Sequence, residues 1–477
     1  MTERIGIIDL GSNSARLIIM NIYHNGSYNL VYHQKEGIRL GEGLHTDKFL
    51  KPAAIKRALM TLIAFERMCR LFSVTKIIAV ATAAVRVAEN GQNFIETIFK
   101  ETNIPLRVIS GEEEARLGYI GSINTLDISD AVMFDLGGAS TEISLIRNRK
   151  LKNSVSLPVG AVNLTEQFST QDSISETVLT EIYNHVLKQL ETLPWLSKAG
   201  LPLIGIGGTM RNIAKMNQKI HSYPFNRVHD YRIGSLSFTE LWHLLVEKNA
   251  EQRRKLPGLS SERADLIVAG TTIIKCLQEF TRSNRFIVSG CGVREGLFFD
   301  YYRTSQQLNP VIPDILTHST YNIMNFYKVR LKHAEHVTNL ATTMFDGWQK
   351  LHGLGERERK ILMVASLLHD SGITISYYDH ARHSSYIIEN ARLFGLSHRE
   401  QMLCAVIAGW HHGYSAKMGR NRLYNEFLDD NDWSVARKLA LLLSLAESLD
   451  VTEEQSVTRV SATLTDKKAQ LKLYVKE

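Results

Sequence analysis

The strongest constraint on the fold of this chain of 477 residues is an internal repeat of a strand–turn–strand motif. Residues 7–14 read IIDLGSNS, and residues 133–140, placed 126 positions later, read MFDLGGAS. Each copy is an apolar strand that ends in an aspartate, followed by a glycine-containing turn, a hydroxyl side chain and a second apolar strand. Self-similarity at a fixed offset predicts two related half-domains.

The turn of each copy suits a bound phosphate. Small residues let backbone N–H groups approach an anion closely, and an aspartate at the strand end can hold a divalent cation. Two such loops facing each other would clamp one phosphate chain, whereas a pair of glycine-rich hairpins with capping aspartates is the alternative. The candidate phosphate-binding residues are Gly11, Ser12, Asn13 and Ser14 in the first copy and Gly137, Gly138, Ala139 and Ser140 in the second.

Two further glycine-rich turns follow apolar strands. Residues 205–209, GIGGT, open a predicted helix, and the free N–H groups of a helix N-terminus bind phosphate. Gly207, Gly208 and Thr209 are therefore candidates, although a simple strand–helix turn explains this motif equally well. The fourth turn, SGCGVREG at 289–296, also ends a strand, and close packing accounts for its glycines.

Hydrophobic periodicity predicts α/β layers followed by a helical region. Short apolar runs at 5–8, 16–23, 76–80, 131–134, 203–206 and 285–288 read as strands, and residues 52–72 have helical spacing. Two of the nine prolines lie in 304–314, which reads as a linker, and 457–475 alternates like a strand pair. The predicted divisions are domain I at 1–125, domain II at 126–303, a linker at 304–314, a helical domain at 315–455 and a β segment at 456–477.

Composition narrows the classes of protein and of partner. The net charge of +7 suits a polyanion, but it is spread along the chain, as on an ordinary solvated surface. The sequence has no apolar run long enough for a membrane span. Four scattered cysteines support neither disulfides nor a cysteine zinc site, and the first residues do not resemble a signal peptide. We therefore expect a cytoplasmic protein with no membrane and no specific nucleic-acid partner.

The order of the motifs resembles one known family. IDLGSNSARL, ATAAVR, SGEEEARLGY, FDLGGASTE, LPVGAVNLTE, GIGGT, SERADLIVAG and SGCGVREG together are similar to the exopolyphosphatase / guanosine pentaphosphate phosphohydrolase family, a branch of the sugar-kinase, Hsp70 and actin superfamily. The resemblance covers residues 1–303 and implies two actin-like (ribonuclease H-like) α/β domains. The remainder resembles the helical, HD-like domain of the longer family members, and homodimerisation through it is implied.

The resemblance also implies roles for particular residues. Glu114 matches the catalytic glutamate, which would orient or deprotonate the attacking water, and Arg86 matches a basic residue that faces the cleft. Asp135 and Glu142 match the second acidic pair and, with Asp9, would hold Mg²⁺. Hydrolysis of a phosphoanhydride needs these parts: a positioned water, a held phosphate and neutralised charge.

The C-terminal region is rich in histidine, with ten of the 17 histidines in the last 173 residues. Imidazoles with carboxylates suit a transition metal, Mg²⁺ or Mn²⁺. The order resembles an HD domain, except that Ala-Glu replaces the usual Ala-Asp pair. A metal site, independent hydrolysis, and a degenerate domain for dimerisation or substrate binding all stay open. The candidate ligands are His333, His369, Asp370, His383, His411, Glu447 and Asp450.

The leading hypothesis is an exopolyphosphatase that releases orthophosphate from the end of inorganic polyphosphate, with water as acceptor and Mg²⁺ as cofactor. The same chemistry on the 5′-triphosphate of guanosine pentaphosphate (pppGpp) is the near alternative. A phosphate- or nucleotide-sensing scaffold and an ATP-using kinase are the alternatives from other classes.

Overall fold

A computed structural model describes residues 2–413, 422–465 and 468–476 of the chain. The chain divides into two compact units, the first formed by Met1–Tyr23 with Asn29–Pro313 and the second by His24–Tyr28 with Asp314–Glu477. The first unit holds two mixed α/β sheets, and the second is helical and ends in a strand pair.

The first sheet has five strands in the order β3-β2-β1-β4-β5. Strand β1 pairs with β2 as an antiparallel hairpin and with β4 in parallel. An antiparallel pair can be joined by a tight turn, whereas a parallel pair needs a longer connection that usually contains a helix. Its elements are β1 (Glu3–Leu10), β2 (Ser14–Ile22), β3 (Tyr28–Gly37), α1 (Leu44–Asp47), α2 (Pro52–Leu71), β4 (Lys76–Ala81), α3 (Ala83–Val87), α4 (Gly91–Thr102) and β5 (Leu106–Val108).

The second sheet repeats this arrangement. Its order is β8-β7-β6-β9-β11-β10, with β6 antiparallel to β7 and parallel to β9, as β1 is to β2 and β4. The predicted ribonuclease H-like α/β class is therefore confirmed. The elements are β6 (Ala131–Leu136), β7 (Thr141–Arg147), β8 (Lys150–Leu157), α6 (Ala161–Gln167), α7 (Glu176–Leu190), β9 (Leu203–Gly207), α8 (Gly208–Ile220), β10 (Tyr231–Gly234), α9 (Ser235–Val246), α10 (Ala250–Arg254), α11 (Ile267–Thr281) and β11 (Arg285–Val288).

Each sheet has its own apolar core. In the first, α2 buries Ala54, Ala58, Leu62, Phe65 and Cys69, whose spacing of three or four residues places them on one face of the helix. The second core is larger and gathers residues from β6, β9 and β11 together with α7, α8, α9 and α11. Burial of these side chains holds each sheet and its helices together.

Two helices exchange partners between the sheets. Helix α5 (Gly111–Ile123) follows the first sheet in sequence but packs on β7 and β8 of the second, whereas α12 (Val293–Ser305) follows the second sheet and contacts β1. The two helices also pack against each other. A Cβ atom added to Gly121 would lie 2.2 Å from the carbonyl oxygen of Gly292, and one added to Gly296 would lie 2.0 Å from that of Leu117. Glycine is what permits this close approach of two backbones.

The second unit is helical, as predicted, and ends in the antiparallel pair of β12 and β13. Between the units, α12 ends at Ser305 and α13 begins at Ile315, while the domain boundaries and the linker at 304–314 stay predictions. The elements are α13 (Ile315–Phe326), α14 (Leu331–Gly347), α15 (Gln349–His352), α16 (Glu356–Leu368), α17 (His380–Asn390), α18 (His398–Gly409), α19 (Arg422–Phe427), α20 (Asp430–Ser448), β12 (Val457–Thr465) and β13 (Lys468–Val475).

Gly121→Ala should destabilise the protein by about 1–3 kcal/mol, because its methyl group would meet a backbone carbonyl that cannot rotate away. Gly118→Ala is the matched control on the same helix, since its Cβ would lie 3.6 Å from the Ile206 side chain, an ordinary contact. The control should be neutral or gain up to ~1 kcal/mol of helix propensity. Thermal unfolding measures both, and equal melting temperatures would contradict the close packing of α5 on α12.

Candidate active site

The two repeated hairpins form matching loops. In the first, the Gly11 N–H donates to the Ser14 carbonyl at 3.1 Å, and in the second the Gly137 N–H donates to the Ser140 carbonyl at 3.0 Å. The loops lie against each other, because a Cβ added to Gly138 would be 3.1 Å from the Cβ of Ser12. The predicted facing pair of glycine-rich loops is therefore present.

The loops border a cleft inside the first unit. All of the predicted phosphate-binding residues line it except Ala139 and Thr209. Thr209 is buried, and its hydroxyl lies toward Gly270 of α11 instead of the cleft. Asp9, Glu114 and Asp135 also line the cleft. Glu142 and Arg86 are not among its lining residues, but each is hydrogen-bonded to one of them, Glu142 to Ser140 and Arg86 to Glu114.

Glu114 lies in the first turn of α5, where the Ser110 hydroxyl caps the helix by accepting from the Glu113 N–H. Its Oε2 accepts a hydrogen bond from Arg86 at 3.1 Å, and Arg86 also donates to the carbonyl of Ile109 at 2.8 Å. Burial and the nearby Glu142 raise the pKa of Glu114 well above its usual range, while Arg86 opposes that shift. A carboxylate with a raised pKa is a stronger base, as activation of a water molecule requires.

Asp135 and Glu142 face each other across the β6–β7 pair. Oε1 of Glu142 accepts hydrogen bonds from Ser140 at 2.8 Å and Ser156 at 2.7 Å. Its Oε2 is buried and has no hydrogen-bond partner within the described part of the chain. Burial raises the pKa of Glu142, and burial with the charge of Glu142 raises the pKa of Asp135 to about 7. A bound cation would stabilise the carboxylate oxygens of Asp135 and Glu142.

Four arginines complete the cleft: Arg16, Arg211, Arg263 and Arg294. Burial and the other three guanidinium groups lower the pKa of Arg211 to about 9, and burial and Arg16 lower that of Arg263 to about 10. Cations enclosed this closely repel one another, and a bound anion would relieve that repulsion. The cleft therefore suits a multiply charged anion.

Sequence reasoning did not single out these arginines. The repeat does contain one signal: Arg16 pairs with Asp9 in the first hairpin at the position where Glu142 pairs with Asp135 in the second. At this paired position the first hairpin therefore carries a cationic side chain and the second hairpin carries a carboxylate. The remaining three arginines come from α8, from the short 3-10 helix Ser261–Arg263 and from α12, and no local pattern connects them.

The helical unit brings most of its predicted ligands together. His333, His369 and Asp370 form one group whose ligand atoms all lie within 4.8 Å of one another, and Glu447 accepts from His369 at 2.9 Å. Asp450 contacts His333 from the other side of the ring, at 2.9 Å from Nδ1.

His383, the histidine predicted as a ligand on α17, stays a prediction. His383 belongs to neither of the ligand groups found among the described residues, and its place is taken by His380, three residues earlier. His380 lies beside His411 and His412. His412 is not among the ligands predicted from the sequence.

Comparison with family models decides the classification. The Ppx/GppA phosphatase family model matches residues 18–305, which is more than half of the chain, and the model of Ppx/GppA phosphatase domain III matches residues 315–477. The chain belongs to the Ppx/GppA phosphatase family.

Solved structures of Ppx/GppA proteins agree with this classification. An exopolyphosphatase from Cytophaga hutchinsonii is 27% identical, with a TM-score of 0.60 over 65% of this chain and 100% of the other. The Aquifex aeolicus family member is 28% identical, with a TM-score of 0.56 over 64% of this chain and 99% of the other.

A curated relative, the bifunctional 3-dehydroquinate synthase/phosphatase of Fusobacterium nucleatum, is 30% identical over 295 residues. The match covers 59% of this chain and 44% of that protein, so the chain spans less than half the length of the relative. Within the described residues of this Ppx/GppA protein, every helix is too short or too polar to cross a membrane.

Arg211→Met should weaken binding of tripolyphosphate by about 10- to 100-fold, because it removes a charged donor from the cleft. The ligand-free variant should be at least as stable as the wild type, since the mutual repulsion of the arginines falls. Titration calorimetry and thermal unfolding measure the two effects. Arg107→Met is the control, as Arg107 pairs with Glu113 on the surface. Equal affinity of Arg211→Met and the control would remove Arg211 from the anion site.

Proposed function

We propose that the protein is a phosphoanhydride hydrolase of the exopolyphosphatase type, which releases orthophosphate from the end of an inorganic polyphosphate chain. The observation that carries the proposal is the convergence of Glu114, the two facing loops and four arginines on one cleft. Family membership supports the same reaction class.

In this proposal the terminal phosphate lies against the backbone N–H groups of the two loops, as phosphates do in other backbone nests. The guanidinium groups offset the negative charge of the phosphate chain. Glu114 orients the attacking water in line with the bridging oxygen that leaves, and it accepts the proton of that water. Arg86 is a positioning residue, because it holds the Glu114 carboxylate through Oε2.

A divalent cation fits the acidic side of the cleft. Asp9, Asp135 and Glu142 offer only carboxylate oxygens, the ligands that Mg²⁺ prefers, and the buried Oε2 of Glu142 has no other partner among the residues described. When bound there, Mg²⁺ would neutralise charge on the phosphoryl oxygens.

The lining of the cleft favours polyphosphate over pppGpp. Its described lining residues include no aromatic side chain on which a guanine base could stack, and the apolar ones are small or aliphatic, such as Ala161, Val162 and Leu266. For binding, a phosphate chain needs only positively charged groups and N–H donors. The nucleotide pppGpp is the second candidate substrate, because the hydrolytic groups act only on the phosphoanhydride, which both substrates contain.

We also propose that the protein acts in the cytoplasm, since its four cysteines are buried and scattered along the chain, as is usual for proteins of a reducing compartment. Homodimerisation through the C-terminal region stays a prediction.

Glu114→Gln should lower the rate of phosphate release from long-chain polyphosphate by about 10²- to 10⁴-fold, since the amide cannot accept a proton. Binding of polyphosphate should change little, because the loops and arginines remain. Glu112→Gln is the matched control: Glu112 is exposed two positions earlier on the same helix. Phosphate release is measured side by side on polyphosphate and pppGpp.

The outcomes of this experiment separate the hypotheses. Faster release from polyphosphate, lost in Glu114→Gln alone, agrees with the proposal, and faster release from pppGpp would transfer the mechanism to the nucleotide. Binding without release from either substrate by the wild type would leave a phosphate-sensing scaffold.

Asp135→Asn should raise the Mg²⁺ concentration needed for half-maximal phosphate release, because one anionic oxygen ligand is lost. Asp130→Asn, at the half-buried residue immediately before the same strand, should leave the requirement unchanged. An Mg²⁺ titration of initial rates measures both. An unaltered requirement in Asp135→Asn would place the cation elsewhere.

A further inference from the structure

The proposed reaction assigns no role to the fourth glycine-rich turn, residues 289–292, although this turn borders the cleft. Gly290, Cys291 and Gly292 line the cleft, and α12, the helix that begins directly after the turn, carries Arg294 into it. The position of the Arg294 guanidinium group therefore depends on the contacts that hold this turn.

Two buried serines hold one side of the turn. The Ser289 hydroxyl donates to the carbonyl oxygen of Cys291 at 2.6 Å and accepts from the Cys291 N–H at 3.2 Å. The Ser122 hydroxyl, in the last turn of α5, donates to the Ser289 hydroxyl at 3.2 Å. The turn is thus fastened to α5, the helix whose first turn carries Glu114.

A histidine holds the other side of the turn. His229 is half-buried in the segment before β10, and its Nδ1 accepts a hydrogen bond from the Gly290 N–H at 3.1 Å. Its Nε2 lies 2.9 Å from the carbonyl oxygen of Thr125, which directly follows the C-cap of α5. A carbonyl oxygen can only accept, so Nε2 carries the hydrogen and donates. The neutral ring in this tautomer makes both bonds at once.

The imidazole ring and the turn are also packed closely. A Cβ atom added to Gly290 would lie 3.1 Å from the Cβ atom of His229, which is tighter than an ordinary contact. Glycine at position 290 therefore lets the backbone N–H approach the ring. The close packing expected from the glycines of this motif is, at this position, packing against His229.

The turn leads directly into the groups that hold Arg294. The Gly292 N–H donates to Oε2 of Glu295 at 2.9 Å, in the capping box of α12. The other carboxylate oxygen of Glu295 lies 3.8 Å from the Arg294 guanidinium group. A displacement of the turn would therefore move the carboxylate that orients Arg294.

We propose that His229 is a positioning residue of the cleft. By joining the end of α5 to the turn at 289–292, it holds Arg294 where the cleft binds the phosphate chain. The proposal rests on the proposed function for the nature of that anion. His229 is not among the described residues that line the cleft, so it acts through the turn and Arg294.

Binding of tripolyphosphate tests the proposal independently of turnover. In titration calorimetry, His229→Ala should weaken the affinity by about 3- to 10-fold, the range expected for one lost hydrogen bond. Asn places an oxygen near the position of Nδ1 and can still accept from Gly290, so His229→Asn should keep most of the affinity. Gln places its amide near the position of Nε2 and reaches Thr125 instead, so His229→Gln should behave like His229→Ala.

A double variant shows whether His229 acts through Arg294. Arg294→Met should weaken binding of tripolyphosphate, and addition of His229→Ala should weaken it by less than about twofold more, because the guanidinium group to be positioned is absent. Losses that multiply would overturn the proposal, since His229 would then act independently of Arg294.

Thermal unfolding confirms that each variant is folded at the assay temperature. His221→Ala is the control, because Nδ1 of His221 lies 2.9 Å from the carbonyl oxygen of Asn217 at the end of its own helix, and it should bind like the wild type. If His229→Ala unfolds, the comparison of His229→Asn with His229→Gln decides. Equal affinities of these two variants would overturn the proposal, as would a folded His229→Ala that binds like the wild type.

Phosphate release from polyphosphate separates this proposal from the proposed function. Since Arg294 binds the phosphate chain before and during the reaction, His229→Ala should raise KM by about the factor lost in affinity and leave kcat within about twofold. A fall in kcat at unchanged KM would overturn the positioning role. If the wild type releases no phosphate, the proposed function fails, while the affinities for tripolyphosphate still decide the role of His229.

Discussion

The first unit depends on enclosing groups of like charge next to each other. Burial raises the pKa values of Asp135, Glu142 and Glu114 and lowers those of Arg16 and Arg211, so both sets are costly in the absence of ligand. Two complete α/β cores stabilise the arrangement. The cost is reduced when a phosphate chain meets the arginines and a cation meets the carboxylates, which gives the cleft its preference for that pair of ligands.

The sequence predicted the parts of this cleft that are local. The repeated hairpins were readable because strand, aspartate and turn are contiguous, and the α/β class followed from the alternation of strands and helices. Arg211, Arg263 and Arg294 were not predicted, since they are distant in sequence and only tertiary packing joins them. Thr209 was predicted for the cleft but faces α11, because a short motif does not determine the side to which its last residue points.

The helical unit shows the same limit. The histidine-rich composition indicated a metal site, and most of the chosen residues do converge. His380 and His383 lie nearly one helical turn apart at the start of α17, so both were compatible with the periodicity. What distinguishes them is contact with His411 and Asp370, which depends on how α17 packs against its neighbours.

The exchange of α5 and α12 has a consequence for synthesis of the chain. Strand β1 ends at Leu10, but its partner α12 ends at Ser305, so β1 leaves the ribosome well before α12. The first sheet therefore cannot reach its final packing until translation has passed Ser305. Until then, apolar surface that α12 will cover stays available to other chains, and the nascent protein has a long interval in which a chaperone is useful.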